Sequence, residues 1–374
     1  MSRAHCGAIV ALCLVVITAE AQLGRPRFFF EGGEAPAGGD AVGPLFGFEQ
    51  DGDLAAWTGL DAQAVIDRCM DAGAAYEGEG CLRVTYQPRD AAFEQFSAQP
   101  LTVATAAGLS FAIRTDLPTN LSFGVVERGG AFYQQFAAIP ADEWTVVSLP
   151  LSALVLAQDS QDLTPGLQPD SIVEIRMADL ANLPGALGDA LGRKVGVHQL
   201  FLDNVTFSAE APVSAAGAGD PRLFVDGFEA DTVHALAIGE ALLSRVPDGE
   251  GHALQVLAEE RGARWKGFVV AIGQLDLRPA QALSLRLRAA DELILNVTLE
   301  ERDGSKYSQR LGLEAGEAWI DREIPVDALV LETDSDDENG RLDRDQLRVL
   351  VINADMARAA RFPASFQVDD LQFR

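Results

Sequence analysis

The chain of 374 residues is written twice. Phe46-Gly47-Phe48-Glu49 near the start of one half returns as Asp226-Gly227-Phe228-Glu229 in the other. Gly78-Glu79-Gly80-Cys81-Leu82 returns as Gly249-Glu250-Gly251-His252-Ala253, and the run Gly108 to Arg114 returns as Ala282 to Arg288. Glu127, Tyr133 and Gln135 match Glu301, Tyr307 and Gln309 at the same spacing. Trp144 and Pro150 match Trp319 and Pro325, and Phe201-Leu202-Asp203-Asn204-Val205 matches Gln367-Val368-Asp369-Asp370-Leu371. The spacing holds within each run and drifts between runs, most of all at an insertion around Asn182–Lys194 in the first copy. A repeat of this length, kept in order, is a duplicated domain in which each copy closes its own core.

Each copy reads as strands. Leu283, Leu285 and Leu287 alternate with Ser284, Arg286 and Arg288, and Leu295, Val297 and Leu299 alternate with Asn296, Thr298 and Glu300. Alternation of period two over many short segments marks half-buried antiparallel strands. Gly, Pro and Asp clusters separate them, and helical periodicity is weak; Ala181 to Leu191 has room for a turn or two. Two packed sheets per copy, a β-sandwich, is the natural way to bury the alternating faces.

The flanks are of another composition. Arg3 and His5 precede an apolar run from Cys6 to Ile17, followed by Ala19-Glu20-Ala21. That run is too short to span a bilayer comfortably and ends in a small-x-small cleavage pattern, so residues 1–21 are expected to be a signal peptide. Export to the periplasm or the outside, without membrane insertion after cleavage near Ala21, follows from that expectation. Residues 22–44 are a Gly/Ala/Pro-rich flexible segment, 45–208 the first sandwich, 209–222 an Ala/Gly/Pro linker, and 223–374 the second sandwich. The formal net charge of −27 gives the chain no attraction for nucleic acid. No nucleophile elbow, metalloprotease helix or phosphate loop is present, so no enzyme is expected. After cleavage two cysteines remain, Cys69 and Cys81, and an oxidising compartment would join them in a disulfide.

The order of these features resembles galactose-binding-like jelly-roll domains. The similarity is greatest to non-catalytic carbohydrate-binding modules of the family 11 and complex I intermediate-associated protein 30 type. The residues that carry it are the opening Phe-Glu, the Gly-x-Gly before a strand, Trp144 or Trp319 ahead of Leu149-Pro150 or Ile324-Pro325, Asn339-Gly340-Arg341-Leu342-Asp343, and the closing Val368-Asp369-Asp370-Leu371. The resemblance covers about 45–207 and 223–374 and implies two tandem jelly-roll β-sandwiches, all-β. It also implies a structural calcium in at least one copy, held by Glu49 or Asp51 with Asp203, or by Glu229 or Asp231 with Asp369. A second acidic loop, Asp334 to Asp343, fails as an EF-hand because Gln346 stands where a bidentate Glu belongs, and is read as a solvated turn.

Sugar recognition needs an aromatic platform beside planar polar side chains. The candidates are Trp265, Arg286, Arg288, Tyr307 and Gln309 in the second copy, aligned with Phe93, Arg114, Tyr133 and Gln135 in the first. Trp144 and Trp319 open equivalent strands and are expected in the core. The function expected is therefore a secreted, non-catalytic carbohydrate-binding protein with a glycan or polysaccharide as partner. The alternative is a structural or adhesive cell-envelope protein that uses the sandwiches as spacers. An exposed Trp265 beside Arg288 favours the first, and a buried Trp265 the second.

Overall fold

A computed structural model describes residues 45–212 and 224–374, apart from 60–63, 72, 88–94, 100, 102, 104, 158–159, 161, 163–165, 181–190, 192–194 and 250. The expected signal peptide, the 22–44 segment, most of the 209–222 linker, most of the insertion and Phe93 lie outside the described residues. Among the described residues no helix is long and apolar enough to cross a membrane.

The chain divides into two compact units. Unit one contains β1 (Trp57–Gly59), β2 (Val65–Cys69), β3 (Cys81–Tyr86), β4 (Gln95–Ala98), β5 (Gly108–Thr115) and β6 (Thr119–Glu127). It continues with β7 (Phe132–Ile139), β8 (Thr145–Pro150), β9 (Val155–Leu156), β10 (Ile172–Asp179) and β11 (His198–Ser208). Unit two opens with β12 (Phe224–Asp226), β13 (Leu236–Ile238), β14 (Leu242–Asp248), β15 (Gly251–Ala258), β16 (Trp265–Ala271) and β17 (Ala282–Ala289). It closes with β18 (Leu293–Glu301), β19 (Lys306–Leu313), β20 (Gly316–Pro325), β21 (Val330–Leu331), β22 (Leu347–Asp355) and β23 (Ala364–Phe373).

Each unit is a jelly-roll β-sandwich of two antiparallel sheets, and the strand order is the same in both. One sheet runs β1-β4-β10-β6-β7-β9 in unit one and β13-β16-β22-β18-β19-β21 in unit two. We call it the major sheet. The opposing minor sheet runs β2-β3-β11-β5-β8 and β14-β15-β23-β17-β20. Unit two adds β12 beside β23, where unit one has only the bridge Phe46–Val205.

Alternating apolar residues fill the space between the sheets. Leu109, Phe111 and Ile113 of β5 meet Leu121, Phe123 and Val125 of β6, with Phe111 edge-on to Phe123 at 5.2 Å. In unit two Leu283, Leu285 and Leu287 occupy the β5 positions, with Val297, Leu299, Phe268 and Ile352 buried in the opposing sheet. Turns repeat as faithfully. Gly130 (φ 89°) and Gly304 (φ 98°) end equivalent turns, donating to Glu127 O at 2.7 Å and Glu301 O at 3.1 Å. Their left-handed backbone is easy only for glycine. Phe48 and Phe228 take φ 57° and 56°, a conformation that costs a bulky residue about 1–3 kcal/mol. Both rings are buried, and burying a phenyl ring returns about 1.5–3 kcal/mol.

One expectation is overturned here. Cys69 and Cys81 are register partners on β2 and β3, yet they are two free, buried thiols rather than a disulfide. Each already has an oxygen partner: Cys69 Sγ donates to Asp71 Oδ2 at 3.4 Å and Cys81 Sγ to Ala74 O at 3.6 Å. Burial pushes the Cys81 thiol up to about 12, which keeps it protonated and unreactive.

Candidate functional site

The single groove expected from the sequence is divided between the two sheets. Trp265, Tyr307 and Gln309 belong to the major sheet of unit two, whereas Arg286 and Arg288 belong to the minor sheet. Tyr307 and Gln309 pair with Leu299 and Val297, and therefore point inward with them. Tyr307 donates its hydroxyl to Asp337 from a buried position. Tyr133 does the same to Asp162, and Gln135 bonds Ala153 O (3.0 Å) and Phe136 N (3.0 Å). Tyr307, Tyr133 and Gln135 are held by the protein's own hydrogen bonds, while Gln309 Oε1 is buried without a partner among the described residues. Burial and the carboxylate partners raise both tyrosine hydroxyls above their ordinary range.

Arg286 and Arg288 do face outward, but their aromatic partner is Trp319 rather than Trp265. Trp319, on the edge strand β20, is half-buried on the outer face instead of lying in the core. The two guanidinium carbons stand 4.8 and 4.6 Å from its ring centroid. Asp248 accepts from Trp319 Nε1 at 2.9 Å, and Asp369 takes Arg286 at 3.0 Å. Gln367 Oε1 accepts from Arg288 Nε at 2.9 Å. Unit one has the same stack in a more aromatic form. Arg114 lies 5.2 Å from Trp144 and 4.5 Å from Phe201, and Tyr76 meets Trp144 edge-on at 5.8 Å. Both ladders brace the minor sheets; Trp319 Nε1 has its acceptor, whereas Trp144 Nε1 is buried without a partner among the described residues.

The outer face of the major sheet of unit two carries a different pattern. Register aligns Gly267, Asn353, Asn296 and Arg310 in one row across β16, β22, β18 and β19. The neighbouring rows contribute Thr298 with Ser308 and Glu300 with Lys306. Trp265 stands at the end of β16, opposite Asp355. Asn296 Nδ2 donates to Thr298 Oγ1 at 3.0 Å, and Thr298 donates to Glu332 at 3.4 Å. Asn353 Oδ1 and both Glu300 carboxylate oxygens are buried without a hydrogen-bond partner among the described residues. Burial pushes the Glu300 carboxyl up to about 8 against the pull of Arg348 and Lys306. Buried polar groups are nearly always satisfied, so Asn353 Oδ1 in this row and the Glu300 carboxyl in another stand out as exceptions on the same sheet face. The tryptophan itself is only 3% exposed. Arg264 covers it, 5.3 Å from the ring centroid, forked onto Asp355 at 3.0 and 2.6 Å.

The carboxylates expected to hold calcium are engaged by the protein. Glu49 Oε1 accepts from Glu79 N (3.0 Å), and Asp203 accepts from Tyr76 N (3.0 Å), Glu77 N (3.1 Å) and Asn204 N (2.8 Å). Glu229 accepts from His252 N at 3.1 Å, and Asp369 from Asp370 N at 2.8 Å besides its arginine. The alternatives Asp51 and Asp231 pair with Arg68 and Arg245. In unit two burial, with Asp369 and Glu229 close by, raises Asp226 to about 6, and burial raises Asp369 to about 6. The acidic loop read as a solvated turn is exposed over most of its length, and one of its carboxylates joins a cluster. Glu301, Asp303 and Asp337 bring oxygens within 4.8 Å of one another, close enough to share a cation. Sequence reasoning missed this group because Glu301 ends β18 and Asp337 lies in a loop well after it.

No protein-family model and no curated protein matches the sequence. Among solved structures the chain is similar to the family 11 carbohydrate-binding module of a cellulosomal cellulase from Clostridium thermocellum. The identity is 20%, over 43% of this chain and 95% of that one, with a TM-score of 0.31. It is similar to the N-terminal tandem of two family 22 carbohydrate-binding modules from Paenibacillus barcinonensis, at 16% identity over 85% of this chain and 92% of that one, TM-score 0.30. It is also similar to an exo-beta-agarase, at 17% identity over 46% of this chain but 25% of that one, TM-score 0.33.

Proposed function

We propose that the chain is an exported, non-catalytic glycan-binding protein built from two sandwiches, with its principal binding face on the outer side of the unit-two major sheet. The observation that carries this reading is the row Asn353–Asn296–Arg310 beside Trp265, with the Asn353 acceptor buried and open. A pyranose ring offers an apolar face for an indole and a rim of hydroxyls for amides and a guanidinium. The net charge of −27 favours neutral glycans over uronic or sulfated ones. Export rests on the composition of residues 1–21, and a calcium ion near Glu229, Asp226 and Asp369 is an accessory part of the same proposal.

Arg310→Ala is the test, because this side chain is exposed on the row and takes no part in the core. Retention of the full chain on insoluble neutral polysaccharides should fall at least tenfold while the melting temperature stays constant. Equal retention of both proteins, or of neither, rejects the reading. The spacer alternative is favoured by the burial of Trp265, and gains if no polysaccharide in a broad panel retains the chain.

A further inference from the structure

Trp265 points to the outer face of the major sheet, yet its ring is closed off from solvent. The group laid over it is itself at the surface: the Arg264 side chain is 58% exposed. Its backbone cannot swing, because Arg264 O accepts from Met356 N at 2.7 Å and β16 begins at the next residue. The long side chain is thus a flexible arm on a fixed post, held down by the fork onto Asp355. That fork holds the Asp355 carboxyl below its usual range, so it stays ionised as an anchor. On the same strand the next outward position is Gly267, which sets no side chain beside the indole.

We propose that Arg264 is a displaceable cap on the glycan-binding face: its guanidinium occupies the indole surface on which a sugar ring stacks, and binding swings it aside. The inference rests on the glycan reading above and adds its regulation. A planar guanidinium and a pyranose face compete for the same indole face, since both are attracted to its electron-rich surface. Displacement also releases Oδ2 of Asp355, the register partner of Trp265, while Oδ1 keeps its bond from Ala357 N at 3.2 Å. Affinity is lowered by the fraction of molecules in which the cap is closed, so a cap shut nine times in ten hides about tenfold in Kd.

Two readouts separate the cap from the glycan reading. The Trp265 indole N–H signal, identified by its loss in Trp265→Phe, is followed by NMR with a soluble nitroxide in the full chain. Arg264→Ala should broaden that signal several-fold more than the parent does, and Arg264→Lys should do the same while keeping a charge for Asp355. Neutral tetrasaccharides of β-1,4-glucose and β-1,4-xylose are then titrated, and the variants should bind about tenfold more tightly. Unchanged broadening in both variants overturns the cap, and Arg264→Lys decides the matter if Arg264→Ala fails to fold. Increased broadening with no tetrasaccharide bound by any of the proteins upholds the cap and refutes the glycan reading.

Discussion

The two units share a strand order but fill equivalent places with different chemistry. In the minor sheet, unit one places one arginine, Arg114, between Trp144 and Phe201, with Tyr76 edge-on to Trp144. Unit two sets two arginines, three aspartates and a glutamine. The same contrast recurs on the outer face of the major sheet. Unit one has Phe132 under Arg176, with Ser122 bonded to Gln134, while unit two has the Asn353–Asn296–Arg310 row and Glu300. Duplication has preserved what the sheets require and released what their outer surfaces do. The position that differs most between copies is therefore where function is sought, and unit two, with the more polar and less satisfied face, is the better candidate for binding.

The largest contrast should come from the core. Phe111→Ala in unit one should cost about 3–5 kcal/mol, because it also removes the ring pair with Phe123. Leu285→Ala at the aligned position of unit two should cost about 2–5 kcal/mol. Denaturant melts followed by circular dichroism would measure both, and equal losses would mean that the ring pair adds nothing. Next in size is the pH response. Asp226 and Asp369 are raised to about 6 and Glu300 to about 8, so the folded unit two binds protons more tightly than its unfolded chain. That stability is present at low pH and is lost as pH rises through 6 and then 8. Glu300→Gln should remove the upper part of the loss, read as a melting temperature that no longer falls between pH 7 and 9. An unchanged slope would place the response elsewhere.

A smaller contrast lies in the tryptophan ladders. Trp319→Phe deletes the bond to Asp248 and should cost about 1–2 kcal/mol. Trp144→Phe removes an indole N–H that is buried without a partner, so it should stay within about 1 kcal/mol of the parent. The comparison of ladders breaks if the two substitutions cost the same. Smallest is the hydroxyl lock common to both units: Tyr133→Phe and Tyr307→Phe should each cost about 1 kcal/mol, with no difference between them.

The strands were legible because alternation and turn residues are local signals, and the repeat allowed each strand to be read twice. Which side of a strand faces the core was harder. In β19, Lys306-Tyr307-Ser308-Gln309 offers a large and a polar residue on each side, and both sides of the neighbouring β18 are buried. Polarity then no longer reports direction, and Tyr307 and Gln309, expected among the sugar contacts, share the inward face of Leu299 and Val297. Alternation with Leu285 and Leu287 turns Arg286 and Arg288 outward, but the sheet they belong to depends on pairing with β23, some eighty residues away, which no local pattern encodes. The role of Arg264 left one trace, an arginine directly before a tryptophan. Its anchor Asp355 comes near only when β22 aligns with β16.

The placement of the closing strand has a consequence for synthesis. β11 and β23 are the last strands of their units, and each lies in the middle of its minor sheet, between β3 and β5 or between β15 and β17. A unit whose central strand arrives last cannot zip its sheets progressively as the chain emerges. Its long-range pairings wait for the end and make folding slow. If the proposed export holds, that delay is useful: a sandwich threaded in extended form stays open until its final strand has crossed.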